Sequence, residues 1–310
     1  MRKVFVPILL FVLVIISPYE INAQQQVIYD QYMFNGLVIN PAYAGQHESI
    51  SLMALYRMQW LNVPGAPSTI AACLHSPLKN KKAGVGVLFT NDNIGVTTQT
   101  AVNLYFSYRI FFNNGAKLSF GLQGGFTQYH FDYSKLTFQN KTTNDPAFNL
   151  SNQNFITPNF GFGVYYTSKK IFAGLSVPQI MQHYVNDLDV AQNAVQLRYY
   201  MFYGGYLWKI SPNLLFKPNT LIKFSPGVPF QVDVNAALLI RDALWVMLSY
   251  RSVNTLNATL QLNLNESLSL GYSYEQPVGG YSVGFGGTHE IMLNYRFKIA
   301  TSDIVNPRYF

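Results

Sequence analysis

The sequence is short of charge, of cysteine and of long apolar runs. Asp, Glu, Lys and Arg make up 11% of the 310 residues, against about a quarter in soluble globular domains. A water-soluble surface on a chain of this size needs more charge than that. A bundle of membrane helices needs runs of about 20 apolar residues, and the mean hydropathy is only +0.09. One apolar run approaches that length, Val4 to Ile16 at the N-terminus. Cys73 is the single cysteine, so no intramolecular disulfide can form. The five histidines, His47, His75, His130, His183 and His289, are scattered, with no H-E-x-x-H or C-x-x-C spacing. That pattern signals no metal site and no cofactor. The net charge is +7, but no basic cluster interleaves with aromatics, which argues against nucleic acid as a partner.

Aromatics are abundant at 15%, with 22 Tyr and 23 Phe beside 22 Gly. Low charge, many rings and many glycines suit a transmembrane β-barrel. The N-terminus fits export. Arg2 and Lys3 precede the apolar run, and Ala23 stands before Gln24, Gln25 and Gln26. This is the layout of a secretory signal peptide over residues 1–23, cleaved after Ala23.

Period-2 alternation recurs along the chain. Leu256, Ala258, Leu260, Leu262 and Leu264 share one face, and Asn257, Thr259, Gln261 and Asn263 the other. Residues 117–127, 229–240 and 267–275 repeat the pattern. A soluble β-sandwich also alternates, but its outward faces carry Lys and Glu. Here the polar faces are Asn, Gln, Ser, Gly and Thr, which fits a lumen, with the apolar faces toward outer-membrane lipid.

The segments number about fourteen, an even count as bacterial barrels require: 48–60, 68–75, 83–90, 97–110, 116–130, 156–167, 170–177, 196–208, 213–223, 229–240, 243–251, 255–264, 267–274 and 288–298. The fold expected is all-β, a transmembrane outer-membrane β-barrel of antiparallel strands over 48–298. A plug-like segment at 24–47 precedes it, and a tail at 299–310 follows. The longest connections, 131–155 and 178–195, both fall in the odd set, which places that set outside the cell. Lys79, Lys81, Lys82, Lys169, Lys209 and Arg241 fall in the even connections, whereas Asp92, Asp132, Asp145, Asp187, Asp189 and Glu275 are assigned to the odd ones. Rings near strand ends, among them Tyr56, Trp60, Tyr105, Tyr108, Tyr165, Tyr199, Trp208, Trp245, Tyr295 and Phe297, are candidates for interfacial girdles.

Little suggests catalysis. Gly280-Tyr281-Ser282-Val283-Gly284 matches G-x-S-x-G, but that motif works only on a strand-to-helix turn. Here it lies between two strands, so it is read as a chance match. Asp187 and Asp189 read as a solvated loop rather than a cation site. The candidate binding residues lie on the two long connections: Tyr133, Phe138 and Phe148 among amides, and Tyr184, Asp187 and Asp189. Segment 31–45, QYMFNGLVINPAYAG, does not alternate. Its Gln31, Tyr32, Phe34, Asn35, Asn40, Pro41, Tyr43 and Gly45 form a candidate plug, across the mouth or inside the barrel, or a docking motif for a periplasmic partner.

That segment, with ALYRMQW at 54–60, GAPST at 65–69, KLSFGLQGG at 117–125, GLSVPQI at 174–180 and PRYF at 307–310, resembles the PorP/SprF family. Gly36 departs from it, standing where the family favours Pro. The resemblance implies a non-enzymatic outer-membrane barrel of the type IX secretion system, linked to gliding motility in some relatives. Such proteins accompany secreted cargo, often large surface adhesins, bearing a C-terminal targeting domain. A periplasmic peptidoglycan-binding lipoprotein is a second implied partner. The rival expectations are a passive channel or hydrophobic-solute transporter and, more weakly, an outer-membrane hydrolase.

Overall fold

The computed structural model describes residues 28–47, 49–79, 81–132, 153–184 and 195–297. The alternating segments form fourteen strands: β1 (Ile50–Met58), β2 (Ser68–Pro77), β3 (Ala83–Ile94), β4 (Thr97–Phe111), β5 (Lys117–Phe131), β6 (Gln153–Thr167), β7 (Ile171–Val177), β8 (Tyr200–Tyr206, continued as Trp208–Ser211), β9 (Leu214–Ser225), β10 (Val228–Ile240), β11 (Leu244–Arg251), β12 (Thr255–Asn263), β13 (Leu268–Pro277) and β14 (Thr288–Phe297). Each pairs antiparallel with its neighbours in chain order. β14 returns to β1, with Ile50 opposite Phe297 and Met58 opposite His289. The barrel is therefore closed and has no free edge, as a membrane interior demands of a sheet. Both pieces of β8 lie on β9, and the break falls at Leu207. Among the described residues no helix is long and apolar enough to cross a membrane.

The two faces separate as the alternation requires. On β12, Leu256, Ala258, Leu260 and Leu262 face outward, whereas Asn257, Thr259 and Gln261 are buried in the lumen. Leu260 is 50% exposed and its neighbour Gln261 only 5%. The girdle reading needs correction. Tyr56, Tyr108, Trp208, Tyr295 and Phe297 do face outward, but Tyr105, Tyr165, Tyr199 and Trp245 are buried inside. Tyr105 and Tyr108 are three residues apart, an odd number, so a period-2 strand must send them to opposite faces.

The connections divide the barrel into a loop end and a turn end. The loop end carries 59–67, 132–152, 178–199 and 278–287, and the turn end carries only short links. Two loop-end connections are shorter than expected. Residues 95–96 and 226–227 are two-residue turns in which Gly95 and Gly227 take the positive φ such turns need. The β3–β4 ladder runs on to meet the first of them, linked by Asn91 to Thr100 and Thr98 to Asn93. As a result Asp92 lies on β3, and Glu275 lies on β13; neither is a loop acid.

Of the candidate binding residues, Tyr133, Phe138, Phe148, Asp187 and Asp189 lie outside the described residues, as do the signal region and the tail. Tyr184 sits in a two-residue ladder, His183–Tyr184 against Val195–Gln196.

A lumen occupied by the chain's own N-terminal segment

Residues 28–47 lie inside the barrel. The segment folds as three 3₁₀ turns, Asp30–Phe34, Gly36–Val38 and Pro41–Tyr43. The local sequence accounts for two of them. Asn35 Oδ1 accepts from the Leu37 amide at 3.3 Å, and Asn40 Oδ1 accepts from the Ala42 amide at 2.9 Å. Asparagine is favoured at such caps because its side-chain oxygen satisfies an orphan amide. Pro41 follows at the first turn position, where its missing N–H costs nothing. Every residue from 28 to 47 is buried except Phe34 and Val38, which are half-buried. Gly36 opens the second turn with the Tyr43 ring lying where a Cβ would go.

The segment runs lengthwise. Asp30 sits at the level of Arg57, near the loop end of β1, and Gln46 reaches Thr167, at the turn end of β6, with 2.8 Å between its Nε2 and Thr167 Oγ1. Between these levels the barrel wall is cut away to receive it. A Cβ at Gly84 would overlap the Ala44 carbonyl, and one at Gly121 would overlap the Ala42 backbone nitrogen. At Gly163 and Gly174 a Cβ would strike the Asn40 amide, and at Gly271 the Gln31 side-chain oxygen. Five strands thus contribute a lumen-facing glycine at the point where the segment presses closest.

Hydrogen bonds fix it there. Asn40 Nδ2 donates to the Val164 carbonyl at 3.0 Å and the Leu175 carbonyl at 3.3 Å. Ser107 Oγ donates to Ala44 O at 2.7 Å, Ser176 Oγ to Ile39 O at 2.5 Å, and Asn235 Nδ2 to Tyr32 Oη at 2.6 Å. At the turn end Arg109 Nη1 donates to Gly45 O at 2.7 Å, and the Gly45 amide donates to His75 Nδ1 at 3.1 Å. Gly45 has φ +68, and a Cβ there would meet Arg109 and the Ser76 carbonyl, so glycine is required on both counts. Apolar side chains complete the packing. Tyr32 meets Tyr203 edge-on, Phe34 meets Trp245, and Met33 packs among Ala237, Leu239 and Met247.

Toward the loop end the segment starts in a buried ion network. Arg57 Nη1 lies 2.6 Å from Asp30 Oδ2 and 3.0 Å from Glu290 Oε2. Arg251 reaches Asp30 at 3.3 Å, Asp233 at 3.1 Å and Glu275 at 2.8 Å. Glu290 also accepts from the Asp30 and Gln31 amides at 3.0 and 2.9 Å. Burial pushes the Asp30 carboxyl up, but Arg57 and Arg251 overcome this and hold it below the usual carboxylate range.

Above this network the lumen opens into a cavity of about 660 Å³, a cup whose floor is made by Ile28, Tyr29, Val38 and Ile39. Its walls carry amides and tyrosines from β4 and β5, Asp92 from β3, and Arg57, Arg251 and Glu275 of the network itself.

All eight candidate plug residues, Gln31 to Gly45, are thus brought together in the lumen. The segment's partners were not singled out from sequence. Arg57, Arg251 and Glu290 carry a signal that sequence offers, a formal charge on the polar face of a barrel strand. The glycine seats carry none, because a strand glycine reads simply as a small polar-face residue. The G-x-S-x-G stretch lies in a 3₁₀ turn, Gly280–Phe285, leading into β14 rather than into an α-helix.

The family model described as type IX secretion system membrane protein PorP/SprF matches residues 21–295. No curated protein matches the chain in sequence. Among solved structures, the CymD monoaromatic hydrocarbon channel superposes with a TM-score of 0.50 at 12% identity, over 91% of this chain and 96% of CymD. The outer membrane protein Omp33 of Acinetobacter baumannii gives 0.49 at 8% identity, over 81% of this chain and 98% of Omp33.

Proposed function

The chain belongs to the PorP/SprF family of type IX secretion system membrane proteins, and on that premise we propose that it is a non-enzymatic outer-membrane component that helps export or anchor a secreted surface protein. The observation that carries this reading is the occupied lumen. Residues 28–47 fill the barrel in glycine-lined seats and hydrogen-bond to its wall from the Arg57 level to the Thr167 level. A barrel filled in this way serves as a rigid platform for its connections rather than as a through-pore.

In this reading the loop end faces outward. The long connections, with Tyr133, Phe138 and Phe148 on one and Tyr184, Asp187 and Asp189 on the other, hold the cargo, an adhesin with a C-terminal targeting domain. The segment 31–45 is buried and offers no surface for docking. A periplasmic partner such as a peptidoglycan-binding lipoprotein would therefore meet the turn end, where Lys82, Lys169 and Lys209 are exposed. Signal-peptide cleavage after Ala23 delivers the chain to the outer membrane.

The test is to shorten 133–152 and 186–193 to tight turns in the cell. The expected result is a normally inserted barrel with cargo released into the medium, since loop deletions spare a scaffold. Cargo held at wild-type levels by both deletions would overturn the cargo-loop assignment. The rival reading, a passive channel or hydrophobic-solute transporter of the kind CymD's description gives, needs the segment to leave the lumen. Sustained single-channel conductance by the intact protein would favour that rival.

A further inference from the structure

The cup above the ion network has the chemistry of a ligand site. It is closed below by the chain's own residues 28, 29, 38 and 39 and opens toward the loop end. Tyr29, Tyr105 and Tyr129 line it and are each about nineteen-twentieths buried, with 5%, 5% and 3% exposure. A tyrosine hydroxyl can both donate and accept, so these three add polar groups to the cup lining. Gln99 and Asn103 add side-chain amides to the same wall. Gln123 Nε2 donates to Asn103 Oδ1 at 2.9 Å, which leaves the Asn103 amide hydrogens to the cup.

The second feature is Asp92. It accepts from Thr69 Oγ1 and has no ion-pair partner among the described residues. Two cations, Arg57 and Arg251, line the same cup, and both are already committed. Arg57 is shared by Asp30, Glu275 and Glu290, and Arg251 by Asp30, Asp233 and Glu275. A carboxylate on a cup wall that also carries tyrosines recognises a cation through charge and ring faces together. The amides and hydroxyls around it suit main-chain N–H and C=O groups.

We propose that the cup binds an extended, basic peptide segment, with Asp92 taking a lysine or arginine side chain and the Tyr29, Tyr105, Tyr129, Gln99 and Asn103 groups taking its main chain. The inference rests on the anchoring reading only for the source of the peptide, which would be a secreted protein reaching the loop end.

The test uses the full-length protein in detergent, titrated with three probes. They are a blocked hexapeptide of alternating glycine and lysine, the same peptide with glutamate for lysine, and a neutral glucose trisaccharide. The lysine peptide is expected to bind saturably and at least about tenfold more tightly than the glutamate peptide. Asp92→Asn is expected to weaken it about tenfold, and Tyr129→Phe a few-fold. Asp242→Asn, at the turn end, is expected to leave binding unchanged. Heat-modifiable gel mobility checks that each variant keeps its barrel. No saturable binding of the lysine peptide, equal binding of both peptides, preference for the trisaccharide, or an unaffected Asp92→Asn variant would each overturn the proposal. Cargo release on loop shortening is scored separately in cells, so the cup can fail while anchoring stands, and the reverse.

Discussion

The two halves of the lumen are built from the same strands and the same alternation, yet one is solid and the other hollow. At the turn end β3, β5, β6 and β7 turn Gly84, Gly121, Gly163 and Gly174 inward, and backbone or Asn40 fills the space. At the loop end β3, β4 and β5 turn in Asp92, Gln99, Asn103 and Tyr129, and a cavity remains. The polarity of the inward face differs little between the halves. What differs on these strands is side-chain volume, and with it whether a second piece of chain can approach. The turn-end half is filled in two ways: the segment enters where the wall is glycine, and large side chains such as Trp245, Arg109 and Phe172 close the rest, as in a soluble core.

The contrast can be broken most severely at the boundary between the halves. Arg57→Ala takes the Arg57 ion pair from buried Glu290 and leaves Asp30 with Arg251. It should cost about 3–5 kcal/mol, the usual cost of orphaning a buried ion partner, read as a lower urea midpoint for barrel unfolding. A loss within error of zero would show that the network is hydrated and not a sealed floor.

On the lipid face, Leu260→Arg near the middle of β12 should cost about 2–4 kcal/mol. Gln261→Arg, which the alternation alone makes inexpensive, meets a packed lumen at 5% exposure. It should cost about 1–3 kcal/mol through overpacking. A Leu260→Arg cost near zero, measured in the same titration, would contradict the assignment of its face to lipid.

Filling a seat comes next. Gly121→Val places a branched side chain where Ala42 lies and should cost about 1–3 kcal/mol. It should also raise protease access to residues 28–47 and give channel events absent from the wild type. If the segment stays inaccessible in the Gly121→Val variant, the seat is not a close contact.

The smallest effect belongs to the hollow half. Gln99→Ala, on the cup wall, should change stability by less than about 0.5 kcal/mol. A larger loss would reveal packing there that the cavity does not suggest.

Most of the barrel was legible in the sequence, because alternation with uncharged polar faces is a direct imprint of lipid on one side and lumen on the other. β12 falls at 255–263 against 255–264 expected, and β5 at 117–131 against 116–130. The errors come from pairs of residues, not from single strands. Tyr165 and Trp245 look like girdle rings until their face is counted, and Asp92 looks like a loop acid until its ladder to β4 is seen. The candidate segment was visible as a break in period, with Asn40-Pro41 marking a turn. Its path was not, since the seats at Gly84, Gly121, Gly163, Gly174 and Gly271 are defined only by contact with a stretch 40 to 240 residues away.

The ion network also has a consequence for assembly order. Arg57 on the first strand and Glu290 on the last are direct register partners across the line where the sheet closes on itself. Asp30 clamps both, through 2.6 Å to Arg57 and through its own amide to Glu290. Its docking surface does not exist until the two chain-terminal strands stand side by side, some 233 residues apart in sequence. Closing the seam and seating Asp30 are therefore coupled, whereas the seats for residues 39–45 lie on β2 to β7, away from the seam. Asp30 thus works as a rivet through the line of closure, joining the first strand, the last strand and the segment at one point.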